Sequence, residues 1–115
     1  EQKEFAILTN EISKATFGKT VEEYKQFKAL KKENLRDHMT DLELIFTMLG
    51  EKITTEITQN EEAQGFCECK KASIRGGKVA GKARVDAEKE LNKSILSKKN
   101  YLLNSEKSNK LLKNR

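Results

Sequence analysis

The chain has 115 residues, 36% hydrophobic and 36% charged, with a formal net charge of +5 and with no proline or tryptophan. That apolar share excludes a thick core and favours an elongated helical shape, and the lack of proline suits long helices, because proline inside a helix removes a hydrogen bond and clashes with the preceding turn. No apolar run approaches the roughly 20 residues that cross a bilayer, no signal peptide is visible, and two cysteines, Cys67 and Cys69, do not make a secreted disulfide scaffold, so a cytoplasmic protein without membrane contact is expected.

In chain order, Phe5, Leu8 and Ile12, with Ala15 continuing the stripe, predict a helix over residues 3–15 that stops at Gly18. Thr20 and Glu23 then form a T-x-x-E capping box, in which each side chain satisfies an orphan backbone donor of the first turn. The helix it opens carries Val21, Tyr24, Phe27 and Leu30 on one face and is expected to end in the polar stretch near Asn34. A second box, Thr40 and Glu43, opens the main amphipathic helix, where Leu42, Ile45, Phe46, Leu49, Ile53 and Ile57 recur mostly at steps of three and four. Leu49 and Ile53, one turn apart, are expected to be buried, and Gly50 between them reads as a site of close packing rather than a helix end. The polar run TQNEEAQG is either a break or an exposed stretch of the same helix.

Helical composition returns from Glu68 to Leu91, with Ala72, Gly76, Val79, Ala80, Ala83 and Ala87 along one broad side. Ile95, Leu96, Tyr101, Leu102 and Leu103 are enough apolar surface for the tail to dock on the body, and residues 105–115 read as a polar, frayed end. The expected architecture is all-α: short N-terminal helices, a long central amphipathic helix, a basic helix and a docked C-terminal tail. Residues 1–104 form one helical domain, and a first residue of Glu rather than Met suits the C-terminal part of a longer protein.

The charge is unevenly placed. Residues 1–62 carry 9 Lys/Arg against 13 Asp/Glu, whereas residues 63–115 carry 14 against 5. From Lys70 to Arg84 there are six basic residues and no acid, and Lys70, Lys71, Arg75, Lys78, Lys82 and Arg84 are the candidate nucleic-acid-binding residues. Within that run Gly76, Gly81 and Lys82 have the G-x-x-x-x-G-K spacing of a phosphate-binding loop. The context is wrong: no strand precedes it, and Ala83 stands where the magnesium-binding Ser or Thr belongs. The glycines therefore read as close helix packing or a kink. Cys67 and Cys69 with the single His38 are too few for a closed zinc site, so no metal and no cofactor is expected. His38, beside Arg36 and Asp37, reads as a packed junction residue, and Glu22, Glu23, Glu61 and Glu62 as surface carboxylates. No catalytic constellation is visible, and no enzyme is expected.

Two stretches, FAILTNEISKATFGKTVEEYKQFKALKKENLRDHMTDLELIFTMLGEKITTEI and KVAGKARVDAEKELNKSILSKKNYL, carry a resemblance. They resemble the C-terminal region of the DNA-damage-inducible protein D family of bacteria, most specifically in LKKENLRDHMTDLEL and then in GGKVAGKAR followed by SKKNYL. The resemblance covers residues 5–103. It implies a cytoplasmic, non-catalytic module of a protein induced in the SOS response to DNA damage, whose upstream antirepressor-like domain is absent from this sequence. It carries no catalytic residue, and the Cys67-Glu68-Cys69 pair and the Lys-rich tail match no family motif. The partner would be nucleic acid or a DNA-bound repair protein. The alternative is a helical homo-oligomerisation module, a homodimer for instance, with no direct DNA contact.

Overall fold

The computed structural model describes residues 2–98. Four helices, α1 (Gln2–Phe17), α2 (Val21–Phe27), α3 (Asp41–Asn60) and α4 (Gly65–Leu91), are joined by short connections, one of which holds a 3-10 turn at Leu35–His38. Among the described residues there is no strand, and the fold is all-α.

Local chemistry sets the two starts that the capping boxes mark. Glu23 N–H donates to Thr20 Oγ1 at 3.2 Å while Thr20 N–H donates to Glu23 Oε1 at 2.8 Å. The same reciprocal pair opens α3, with Glu43 N–H on Thr40 Oγ1 at 3.3 Å and Thr40 N–H on Glu43 Oε1 at 2.9 Å. The Thr20 backbone N–H, and after it the Thr20 hydroxyl, hold the Glu23 carboxyl below the usual carboxylate range.

Every helix closes on a residue in the left-handed conformation: Gly18 (φ 75°), Ala29 (φ 60°), Glu62 (φ 50°) and Asn92 (φ 57°). Such a residue turns the next N–H groups back onto the last carbonyls. Leu30 N–H reaches the Lys25 carbonyl at 2.8 Å, and Ala63 N–H the Thr58 carbonyl at 2.9 Å. Glycine and asparagine suit this conformation, while alanine and glutamate do not. α2 accordingly ends at Phe27, well short of Asn34, because Ala29 adopts the left-handed turn instead of continuing the helix. Ala29 is exposed, so Ala29→Gly removes no buried contact. The left-handed cost for an alanine, about 1–2 kcal/mol, exceeds the roughly 0.4–1 kcal/mol by which glycine's freedom favours the unfolded chain. Ala29→Gly is therefore expected to stabilise the protein by about 0.5–1 kcal/mol in a urea titration, and a loss of stability would show that this turn is not strained.

α4 lies in the middle, packed along α1 on one side and α3 on the other. The interior has two parts. At one end the tip of α1, α2, the 3-10 turn, the start of α3 and the segment after α4 enclose Phe17, Tyr24, Leu30, Leu35, Met39, Phe46 and Ile95. Phe17 meets Tyr24 edge to face, ring centroids 5.0 Å apart. Along the rest of α4 the interior is a seam of small residues: Gly50 and Thr54 of α3, and Ala72, Ser73, Gly76, Gly77, Ala80 and Gly81 of α4.

That seam corrects the expected phase of α3. Its buried face is Glu43, Phe46, Gly50 and Thr54, while Leu49 and Ile53 are half-buried and Ile45 is 56% exposed. The small face turns inward because only it lets α4 approach closely. The stretch TQNEEAQG contains a true break, closed by Glu62. Tail docking holds as far as the structure describes it: Ile95 is buried and Leu96 half-buried. Tyr101, Leu102, Leu103 and residues 105–115 lie outside the described residues.

Candidate nucleic-acid interface

The stretch with phosphate-loop spacing lies inside α4, a helix continuous through Gly76-Gly77. A phosphate loop offers free N–H groups at a turn. Here the N–H groups of residues 76–82 are in mid-helix, where each is taken by the carbonyl four residues earlier. The glycines are buried against neighbouring helices: a Cβ on Gly76 would meet the Thr54 backbone of α3, and one on Gly77 or Gly81 the Ala15 region of α1. Thr16 Oγ1 of α1 donates to the Gly77 carbonyl at 3.4 Å. The spacing thus serves helix contact, one of the two readings its sequence left open, and the helix is not broken there.

Burying the glycines turns the opposite side of α4 to solvent. Lys71, Lys78 and Lys82 are exposed and form no ion pair among the described residues. At about 100° per residue they fall within roughly 40° of one line along the helix. Arg75 belongs to the same side, but its Nη1 is 2.8 Å from Glu61 Oε1. Arg75 holds the Glu61 carboxyl below its usual range, and Glu61 raises the guanidinium in turn. Both partners are more than half exposed, so the pair is weak and screened by salt. Lys70 lies off the row and is half-buried.

Arg84 faces inward. Its Nε donates to the Thr16 carbonyl at 2.7 Å, satisfying an acceptor in the last turn of α1, and its Nη1 lies 2.8 Å from Glu88 Oε1. Glu88 Oε2 accepts from Ile95 N–H at 2.9 Å and from Ser94 Oγ at 3.3 Å. Burial opposes charge on Glu88, yet the Ile95 N–H, then Arg84 and Ser94, hold its carboxyl below the usual range. Arg84 therefore ties α1 to α4, and through Glu88 to the tail. Helical spacing could have separated it from the row, since it sits about 220° around the helix from Lys71.

Two hollows flank the row. One, of 450 Å³, is bordered by Lys78, Lys82, Arg84, Val85 and Asp86, with Ala15 and Gly81 at its back. The other, of 310 Å³, lies among Glu61, Ala63, Glu68, Lys71, Ala72 and Arg75. Lys89, also exposed, continues the row toward the end of α4 and was not among the residues singled out by charge density. The signal was its spacing, 18 residues or about five turns from Lys71.

The interior also holds a buried polar cluster that the charge pattern of the sequence does not announce. Lys28 Nζ is 2.8 Å from Glu43 Oε1, with both side chains fully buried. Tyr24 OH donates to Glu43 Oε2, and Lys28 Nζ also donates to the Ser97 carbonyl at 2.7 Å. Burial, and then Glu43, push the Tyr24 phenol far above its usual range. The cluster is closed to solvent, so its chemistry is structural. Tyr24 of α2 and Lys28, which caps its end, stand four residues apart, and that spacing is the signal in the sequence.

Elsewhere Cys67 is exposed and Cys69 half-buried on the first turns of α4, two residues apart and so pointing away from each other. His38 ends the 3-10 turn, half-buried. Among the described residues no three His, Cys, Asp or Glu side chains are placed to hold a metal ion, and no helix is long and apolar enough to cross a membrane. No family model, no curated protein and no solved structure matches this chain.

Proposed function

We propose that the chain is a non-catalytic helical module that binds the phosphate backbone of DNA through α4, as part of a bacterial, cytoplasmic DNA-damage (SOS) response protein. The observation that carries the DNA contact is the row of Lys71, Lys78 and Lys82, exposed and without ion pairs among the described residues, on a helix whose other side is anchored. Cations so placed release counterions when they meet phosphates, which makes affinity strongly salt-dependent and nearly independent of sequence. The response pathway rests on the resemblance of residues 5–103, above all LKKENLRDHMTDLEL. A second reading, homo-oligomerisation without DNA contact, draws on the exposed Ile45 and Met48 of α3.

The test is a titration with DNA at several salt concentrations, with mass measured in parallel. Lys78→Glu with Lys82→Glu should weaken binding and flatten the log–log salt slope by about 1.8, at roughly 0.9 per lost contact on duplex DNA. Unchanged affinity and slope in the folded double variant would remove the lysines from the interface. Concentration-dependent mass without DNA binding would favour the oligomer.

A further inference from the structure

We infer that the ligand of this row is double-stranded rather than single-stranded DNA, and that Lys89 is its fourth contact. The inference rests on the DNA-binding reading above and names the form of DNA that the same surface fits. Lys71, Lys78, Lys82 and Lys89 are all exposed on one unbroken helix. Their steps of seven, four and seven residues keep them within about 40° of one line, over a length of about 27 Å at 1.5 Å per residue. The cations therefore form a straight crest rather than a curved groove.

The crest is also stiff. Behind it Gly76, Gly77 and Gly81 are buried against α1 and α3, and Arg84 fastens the helix to the Thr16 carbonyl. A stiff, straight row suits a ligand whose phosphates are already fixed in space. Duplex DNA presents one charge per about 1.7 Å of axis, so such a row meets phosphates without reshaping either partner.

A single strand has to be ordered along the protein as it binds, and proteins that hold one offset this by stacking bases on aromatic faces. No aromatic residue occurs between Lys71 and Lys89. Phe66, on the first turn of α4, is half-buried, and the strongly exposed Phe5 belongs to α1. Asp86 and Glu90, both exposed beside the second half of the row, confine an anionic ligand to the crest. The crest thus offers cations in a line and no aromatic face on which bases could stack.

The experiment compares a duplex of about 20 base pairs with one of its own strands, titrated against the 115-residue chain at several salt concentrations. The duplex is expected to bind tighter by roughly tenfold or more. Lys89→Glu, at an exposed position with folding checked by circular dichroism, should weaken duplex binding and flatten its salt slope by about 0.9. Replacing Lys71, Lys78, Lys82 and Lys89 together by Gln should flatten it by about 3.6 and abolish the duplex preference. Equal or tighter binding of the single strand would overturn the inference and leave DNA binding standing. A duplex preference that survives the four-residue change would assign it to other basic residues and overturn the inference too. Binding to neither form would overturn the DNA-binding reading itself, and a silent Lys89→Glu in a duplex-binding chain would remove Lys89 from the contact.

Discussion

Glu43→Ala is expected to destabilise the protein by about 3–5 kcal/mol, the range for removing one partner of a buried ion pair. The Glu43 carboxylate is fully buried and receives four donors: Lys28 Nζ at 2.8 Å, Tyr24 OH, Thr40 N–H at 2.9 Å and Ser97 N–H at 3.3 Å. Truncation removes the carboxylate that balances the buried Lys28 ammonium, and a buried charge that loses its counter-charge is far costlier than the pair is favourable. It also opens one side of the α3 capping box. A loss of this size is a large share of the 5–15 kcal/mol typical of a folded domain.

The control is Lys28→Met combined with Glu43→Gln. It removes both charges, keeps a hydrogen-bonding group beside Tyr24 and Thr40, and is expected to recover most of the loss, because a buried pair can often be replaced with little net cost. Urea denaturation measures both. A cost below about 1 kcal/mol for Glu43→Ala alone would mean that water reaches Lys28. The same variant should loosen the chain after α4. Ser97 is gripped on both sides, its carbonyl by Lys28 and its N–H by Glu43, so amide exchange at Ser97, and at Ile95 two residues before it, should accelerate.

Gly76→Ala carries the second large effect, and its sign separates two principles. Inside a helix alanine is favoured over glycine by about 0.5–1 kcal/mol, so local propensity alone predicts stabilisation. A Cβ at Gly76 would stand 2.7 Å from Thr54 N and 2.8 Å from Thr54 Cα. Backbone atoms cannot rotate aside, so α3 and α4 must separate, and overpacking of this kind costs about 1–3 kcal/mol or more. Net destabilisation by Gly76→Ala is expected in thermal denaturation. Gly77→Ala should act likewise, since its Cβ would lie 2.6 Å from Ala15 Cβ and 2.9 Å from the Ile12 carbonyl oxygen. Gly50→Ala meets the side-chain atoms Thr16 Oγ1 at 2.9 Å and Ile12 Cγ2 at 3.1 Å; displacing the buried Thr16 costs its hydrogen bond to the Gly77 carbonyl but moves no backbone, so the effect should be smaller. A higher melting temperature for Gly76→Ala would show that the seam between α3 and α4 is loose.

Several features of this protein follow from its sequence by itself. The starts of α2 and α3 are written in Thr20 with Glu23 and Thr40 with Glu43, because a capping box closes within four residues and needs nothing from elsewhere. The end of α1 is legible in Gly18, which takes the left-handed turn without strain. The all-α class follows from apolar spacing and the absence of proline, and most of the cationic row, Lys71, Lys78 and Lys82, from the run of basic residues between Lys70 and Arg84.

Only the tertiary structure decided which faces are inside. The periodicity of α3 points to Leu49 and Ile53, yet Gly50 and Thr54 turn inward, Gly50 toward Thr16 and Ile12 of α1 and Ala80 of α4, and Thr54 onto Gly76, because these close approaches admit nothing larger. Nothing in the residues around Lys28 marks it as buried; Glu43, from α3, supplies its partner in the interior. Ala29 reads as a helix continuing, yet it turns left-handed. Arg84 counts as one more cation of the row until Thr16 and Glu88 claim its guanidinium. Capping and helical period act over three or four residues, so neighbouring letters record them. Burial depends on what surface arrives from elsewhere in the chain, and a segment contains its own shape but not that of its partner.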